Sequence, residues 1–457
     1  MKNLCFALAI AAFASPLLAA RPSTDRAPAL PDPAKVEQRL ARDIEWFRRN
    51  SMPTCKDAAA AEALAAMVQT WSDDPKRPGN EQERAWKASE RAVKAGCDDA
   101  LLLYTHARLY NIAALESTER GAELAREAAA ALNRSRHHPA FKLLGNVRAA
   151  EAIAIHARAS RSMSAAGVQE HLDAARDFWP EIAKDKELPD TLAVDLLQWY
   201  LDARRELRGD RKEDFAPILA AFEAHRAGSA IVPLLRARFA LDYAWDARGG
   251  AFAGKVTENA MNVFATRLAD AEREVAKAMA IDPASPALAP LMLVVELGQG
   301  RGRERLESWF RFGVAANPGD TALWTAKMHY LEPRWHGSDE EMLAFGREAL
   351  ATKSWALQIP MLLLTAHHHL AQQTGDVAAY FADPDVCREV RGVYDGFLAK
   401  YPDSPYERSA YALALYRCGD LPAAHKQFQK IGNDRRITPF GTRAFFDKVR
   451  TEAALNH

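Results

Sequence analysis

Two helical stretches of this chain end alike, AMAIDP at Pro283 and GVAANP at Pro318, thirty-five residues apart. A period of that size holds two helices of roughly a dozen residues each with two short turns. One such unit cannot bury its apolar face alone, so it must stack on the next. The residues around these stops agree. In Leu268–Asp282, Leu268, Ala271, Val275, Ala278 and Met279 recur at helical steps of three and four, with charges between them. Pro, Gly, Asp and Asn gather in the short gaps, and no segment alternates as a strand does. The expected fold is all-α, a right-handed solenoid of stacked antiparallel helix hairpins.

The spacing also carries a resemblance. Trp324 lies six residues past Pro318, and in YALALYRCGDLPAAHKQFQKI the residues Ala412, Gly419, Asp420, Ala424 and Phe428 fall in register. This pattern resembles the tetratricopeptide repeat, in which small residues let paired helices approach, a glycine permits the turn and an aromatic fills the gap to the next unit. The hairpins at 56–97 and 98–132 read as degenerate copies. A second resemblance covers roughly residues 235–350. Trp245, Arg248, Gly249 and Phe264, then Pro333, Arg334, Trp335, Gly337, Ser338 and Phe345, look like an uncharacterised bacterial family built on tetratricopeptide-like helices. That resemblance implies a fold and brings no reaction with it.

The ends and the cysteines speak to compartment. Residues 1–20 have Lys2, an apolar run from Leu4 to Phe13 and a small-residue end at Ala19-Ala20, the pattern of a cleavable secretory signal. The run is too short to span a bilayer, which takes about 20 apolar residues, and no comparable run follows, so no membrane span is expected. A Pro-rich leader (21–35) then precedes degenerate repeats (36–228), a central helical domain (229–375) and C-terminal repeats (376–457). The expected location is periplasmic or secreted. Losing Lys2 leaves 59 basic against 60 acidic side chains, a balance that gives no electrostatic ground for nucleic-acid binding. Four cysteines remain beyond Cys5: Cys55, Cys97, Cys387 and Cys418. Cys55 opens one expected helix and Cys97 closes the next; Cys387 and Cys418 repeat the arrangement. In an antiparallel hairpin those positions are adjacent, so the pairs Cys55–Cys97 and Cys387–Cys418 are expected as disulfides.

Candidate sites are few. Gly249, four residues, then Gly254-Lys255 imitates the start of a phosphate-binding loop, but a helix precedes it and Val256 stands where Ser or Thr is needed. The expectation is a plain loop and no cofactor. His367, His368 and His369 point about 100° apart on a helix and cannot face one ion, so no metal site is expected. Two irregular segments remain, 245–256 and 332–341. Trp245 and Arg248 share a helix face, and Glu332, Arg334, Trp335 and His336 surround Pro333, which no ordinary helix accommodates. One reading is a ligand or peptide site, with Arg for a carboxylate and Trp for stacking. The other is an internal clasp holding the loop to the next repeat. The functional expectation is an exported, non-catalytic repeat protein that binds a protein or peptide partner. The alternative is a cell-envelope hydrolase acting on glycan or peptide at these loops, drawing on Glu332 or the acids Asp339, Glu340 and Glu341.

Overall fold

The computed structural model describes residues 29–113, 117–161, 167–205, 211–249, 255–432 and 438–455. The signal segment, most of the leader and residues 250–254 of the glycine loop lie outside the described residues. The chain runs through α1 (Pro33–Asn50), α2 (Ala58–Trp71), α3 (Glu81–Lys94), α4 (Ala100–Ala113), α5 (Thr118–Arg134) and α6 (Pro139–Ala159). Then come α7 (Val168–Arg176), α8 (Trp179–Lys184), α9 (Asp190–Arg204), α10 (Arg211–Arg226), α11 (Ile231–Arg248) and α12 (Glu258–Ile281). After these follow α13 (Leu288–Gln299), α14 (Arg303–Ala316), α15 (Ala322–Tyr330), α16 (Asp339–Ala351) and α17 (Leu362–Gln373). The last are α18 (Val377–Ala382), α19 (Pro384–Lys400), α20 (Pro405–Arg417), α21 (Leu421–Ile431) and α22 (Arg443–Leu455). No strand occurs among the described residues, and none of these helices is long and apolar enough to cross a membrane.

Neighbours in sequence are neighbours in space, which makes this an all-α array of consecutive helix pairs. One layer is continuous: α2, α4, α6, α9, α11, α13, α15 and α17 each pack on the next of that series. The other layer fills the grooves outside it, with α3 on α2 and α4, α5 on α4 and α6, α12 on α11 and α13, and α14 on α13 and α15. The sequence assigns the layers. α5 buries Gly121, Ala122, Ala125, Ala129 and Leu132 along a single stripe, whereas α6 buries residues on every side, Phe141, Leu143, Leu144, Ala150 and Ile153 among them. A one-sided stripe suits an outer helix and an all-round apolar surface suits an inner one. Each fully buried large aliphatic contributes about 1.5–3 kcal/mol, so the inner layer holds most of the stability. One hydrophobic core runs from Trp46 to Leu370, unbroken through residue 228, and a second spans Leu363–Ala453.

The array then meets its own beginning. Asn317, between α14 and α15, donates its amide to the Asp73 carboxylate at 3.0 Å, 244 residues away in sequence. A Cβ on Gly319 would lie 1.7 Å from the Asp73 carbonyl oxygen, so only glycine permits this approach. Arg39 of α1 donates to the carbonyls of Ala284 (3.2 Å) and Ala316, and the Tyr401 hydroxyl donates to the Pro78 carbonyl at 2.8 Å. The superhelix therefore closes a turn between α2 and α15, with α1 lying across the inner-helix ends at one mouth.

Both disulfides form, Cys55–Cys97 with Cα atoms 6.0 Å apart and Cys387–Cys418 at 5.8 Å. The helix limits differ from expectation at the first pair. Asp57, whose side chain accepts from the Ala60 N–H at 2.8 Å, starts α2 after Cys55, and α3 stops at Lys94, before the left-handed Gly96 (φ 88°) turns the chain to Cys97. The thiols meet in the flanking turns instead of inside the helices. Two disulfides suit an oxidising compartment.

Candidate functional site

Of the six residues singled out in the irregular segments, Trp245, Arg248 and Trp335 come together at the junction of α11 with the α15–α16 connection, and Glu332, Arg334 and His336 lie on the same connection. α15 stops at Tyr330, and Pro333 keeps it from continuing. The loop folds back, with the Trp335 N–H on the Glu332 carbonyl (2.8 Å) and the His336 N–H on the Tyr330 carbonyl (3.2 Å). Gly337 is required because a Cβ there would lie 2.2 Å from the Leu331 carbonyl oxygen. Ser338 then caps α16, its hydroxyl accepting from the Glu341 N–H at 3.2 Å.

The turn delivers the Trp335 ring against the Trp245 ring, edge-on at 5.6 Å between centroids, with His329 on another side at 5.7 Å. Trp245 packs on Phe264 of α12 at 5.0 Å. The Arg248 guanidinium sits 5.1 Å from the Trp335 centroid and 5.7 Å from that of Trp245, within cation–π range of both. His336 reaches the other way, donating from Nε2 to the Leu297 carbonyl at 2.8 Å and covering Gly300, where a Cβ would come within 2.7 Å of the ring. His329 Nδ1 donates to Glu332 at 2.7 Å, and the exposed Arg334 donates to the same carboxylate. The assembly joins three hairpins, and its aromatic and cationic groups are engaged with one another. Trp335 and His336 reach the neighbouring elements, whereas Arg334 bonds only within its own loop.

Two of its acids are held below their ordinary values. Burial pushes the Glu332 carboxyl up, but hydrogen bonds and charge from His329 and Arg334 more than offset it, holding the group below its ordinary value. The Ser338 hydroxyl lowers exposed Glu340 as well. A glycosidase general acid needs the opposite shift. The glycine segment follows the 18-residue helix α11, with no strand before it. Gly249 caps that helix at φ 69°, and Thr257 accepts from the Ala260 N–H to start α12. In the histidine run, His367 is buried between the Tyr380 hydroxyl (2.9 Å) and Glu389 (3.0 Å). Among the described residues no three His, Cys, Asp or Glu side chains are grouped to hold a metal ion.

A concavity lies elsewhere. Where the closing turn faces its own start, α3 and the end of α4 oppose the start of α15, the 3₁₀ turns at 355–361 and the start of α20. Between them is a cleft of about 560 Å³. Trp86, Trp324, Phe397 and Tyr406 supply aromatic walls, while Asn80, Gln82, Thr325, Gln358 and Thr365 supply amides and hydroxyls. Two of its lining residues, Ile112 and Tyr406, are large apolar side chains left 40% and 44% exposed. The sequence reading missed this cleft, because its two sides are more than 200 residues apart and meet where the turn closes, at Asp73 with Asn317 and at Pro78 with Tyr401. An apolar Ile112 on the rim of an otherwise regular helix was the one local signal.

No protein-family model matches the chain, so the likeness of residues 235–350 to the uncharacterised bacterial family gains no support, and no curated protein matches it either. Among solved structures, a human IFIT1 dimer with m7Gppp-AAAA aligns over 94% of this chain and 80% of its own at 12% identity and a TM-score of 0.28. The Cut9–Hcn1 hetero-tetramer of the APC/C aligns over 92% and 87% at 12% identity and 0.26. A circular tandem repeat protein aligns over 93% and 99% at 13% identity and 0.21. Such scores carry no argument about function; the helix-pair architecture rests on the packing described above.

Proposed function

We propose that this is an exported, non-catalytic helical-repeat protein that holds a segment of a partner polypeptide in the cleft between α3 and the α15–α20 region. The supporting observation is the cleft itself: about 560 Å³ bounded by aromatic walls, amide and hydroxyl side chains and the exposed Ile112 and Tyr406. An extended peptide needs apolar pockets for alternate side chains and hydrogen-bonding groups for its backbone, and this surface offers both. Glu332 and Glu340 are held below their ordinary values, which disfavours either of them as the general acid of a hydrolase at those loops.

The test is site-specific photo-crosslinking in an envelope extract. A benzophenone side chain is placed at position 112 or 406, and at Ile155, which is 45% exposed but outside the cleft. Covalent adducts to one polypeptide from 112 and 406, and none from 155, are the expected result. Adducts from 155 alone, or from none of the three, overturn the reading. If capture survives Tyr406→Ala yet is lost in a Trp335→Ala variant with unchanged melting, the site belongs at the irregular loops.

A further inference from the structure

Beneath α1, at the closed mouth of the superhelix, lies a second and smaller cavity of about 60 Å³. One water needs roughly 10–15 Å³ of such space, so it holds several waters or a chain of a few heavy atoms. Four aromatic rings wall it, from Phe47, Trp71, Phe141 and Trp199, and three carboxylates line it, from Asp43, Asp73 and Asp195. Asn317 is 5% exposed and lines the same cavity. Its amide nitrogen is committed to Asp73, and its side-chain oxygen finds no hydrogen-bond donor. An orphaned buried acceptor costs about 1–3 kcal/mol, and it calls for an N–H or O–H from whatever fills the space.

We propose that this cavity binds a small organic cation bearing a primary ammonium. The ammonium group donates to the Asn317 oxygen and to the carboxylates, and the carbon stem lies between the aromatic walls, where ring faces attract positive charge. A wider recess of about 660 Å³ on the outer side of α1 shares Arg39, Asp43, Thr191 and Pro286 with it and serves as the approach. This site is independent of the peptide cleft.

The surrounding charges leave room for a cation. From α1 come Arg39, Arg42 and Asp43; from the end of α2 and its following turn, Asp73 and Arg77; from α9, Asp190 and Asp195. Arg226 of α10 pairs with Asp190 at 3.0 Å, Arg238 faces in from α11, Asp282 from the turn before α13 and Asp320 from the start of α15. Burial pushes the Asp43 carboxyl up to about 6 and Asp320 up to about 7, the latter also through its repulsion from Asp73. Burial favours the protonated form of these acids despite the nearby arginines. A bound ammonium favours the charged form, so binding releases protons and strengthens as pH rises through 6–7.

The experiment is titration calorimetry on the whole chain with 1,4-diaminobutane and n-butylamine, against n-butanol as the uncharged isostere. At pH 8 the amines bind with one-to-one stoichiometry and butanol does not, and affinity falls at least tenfold at pH 5.5. Asp195→Asn and Asn317→Leu each lower affinity at least tenfold while circular dichroism stays unchanged; the surface control Asp385→Asn has no effect. No amine heat at pH 8, butanol binding as tightly as the amines, or amine binding that both variants retain in full overturns the proposal.

Discussion

Replacing Trp335 with alanine tests whether the irregular segments act as a clasp. Truncating a fully buried Phe or Trp costs about 3–5 kcal/mol. Trp335 keeps about a third or less of its surface exposed, which brings the packing loss to about 2–3 kcal/mol by proportion. Its edge-on contacts with Trp245 and His329 and the Arg248 cation are among what that truncation removes. In a repeat array whose units contact chiefly their neighbours, this loss falls locally. Hydrogen exchange followed by mass spectrometry reads it directly. At about 1.4 kcal/mol per decade, amides of residues 332–338 and of the last turn of α11 exchange about 30–150 times faster, while the α5–α6 pair is unaffected. Arg334→Ala is the internal comparison. Its exposed ion pair with Glu332 contributes less than about 1 kcal/mol, so exchange changes less than about fivefold. Equal effects of the two variants, or no effect of Trp335→Ala, would refute the clasp and leave a ligand as the reason these aromatics converge.

Reducing the disulfides, which close loops of 42 and 31 residues, removes about 4 kcal/mol of unfolded-state restriction for each in the loop-entropy account; calorimetry of oxidised and reduced protein showing equal melting would contradict that. Gly319→Ala drives a methyl into the Asp73 carbonyl and costs about 1–3 kcal/mol as overpacking, so small-angle scattering should show a wider particle, and an unchanged radius would mean the closure does not depend on that contact. Asp43, raised to about 6 by burial against opposing charge from Arg39 and Arg42, binds more protons folded than unfolded between pH 4 and 6. Its contribution is thus full below pH 4 and lost as pH rises through 6. Asp43→Asn should therefore gain up to about 3 kcal/mol over the native protein at pH 8 and little at pH 4, as denaturant titration at the two pH values would show; equal gains at both would mean that the titration of Asp43 does not drive the effect.

What was legible in the sequence is what local periodicity encodes. The apolar stripe of α5, the stop at Pro283 and the cap at Ser338 each lie within a few residues of the element they specify. The cysteine pairing followed because each pair closes a hairpin, a relation between adjacent helices. The convergence of Trp245 with Trp335 needed one step more, contact across hairpins ninety residues apart, and only the oddness of both segments hinted at it. The cleft and the small cavity lie beyond this reach. Asp73 meets Asn317 because small rotations accumulate over many stacked pairs until the chain returns to its start, and no single residue carries that sum. A trace of it is still present in α9. Asp195 and Trp199 stand four residues apart in an otherwise apolar run, TLAVDLLQWYL, and therefore share one face of an inner helix. On a plain inner helix that face would be apolar. A carboxylate and an indole there mean that the helix looks onto a polar, solvent-reached space inside the superhelix, which a layer of inner helices can create only by closing.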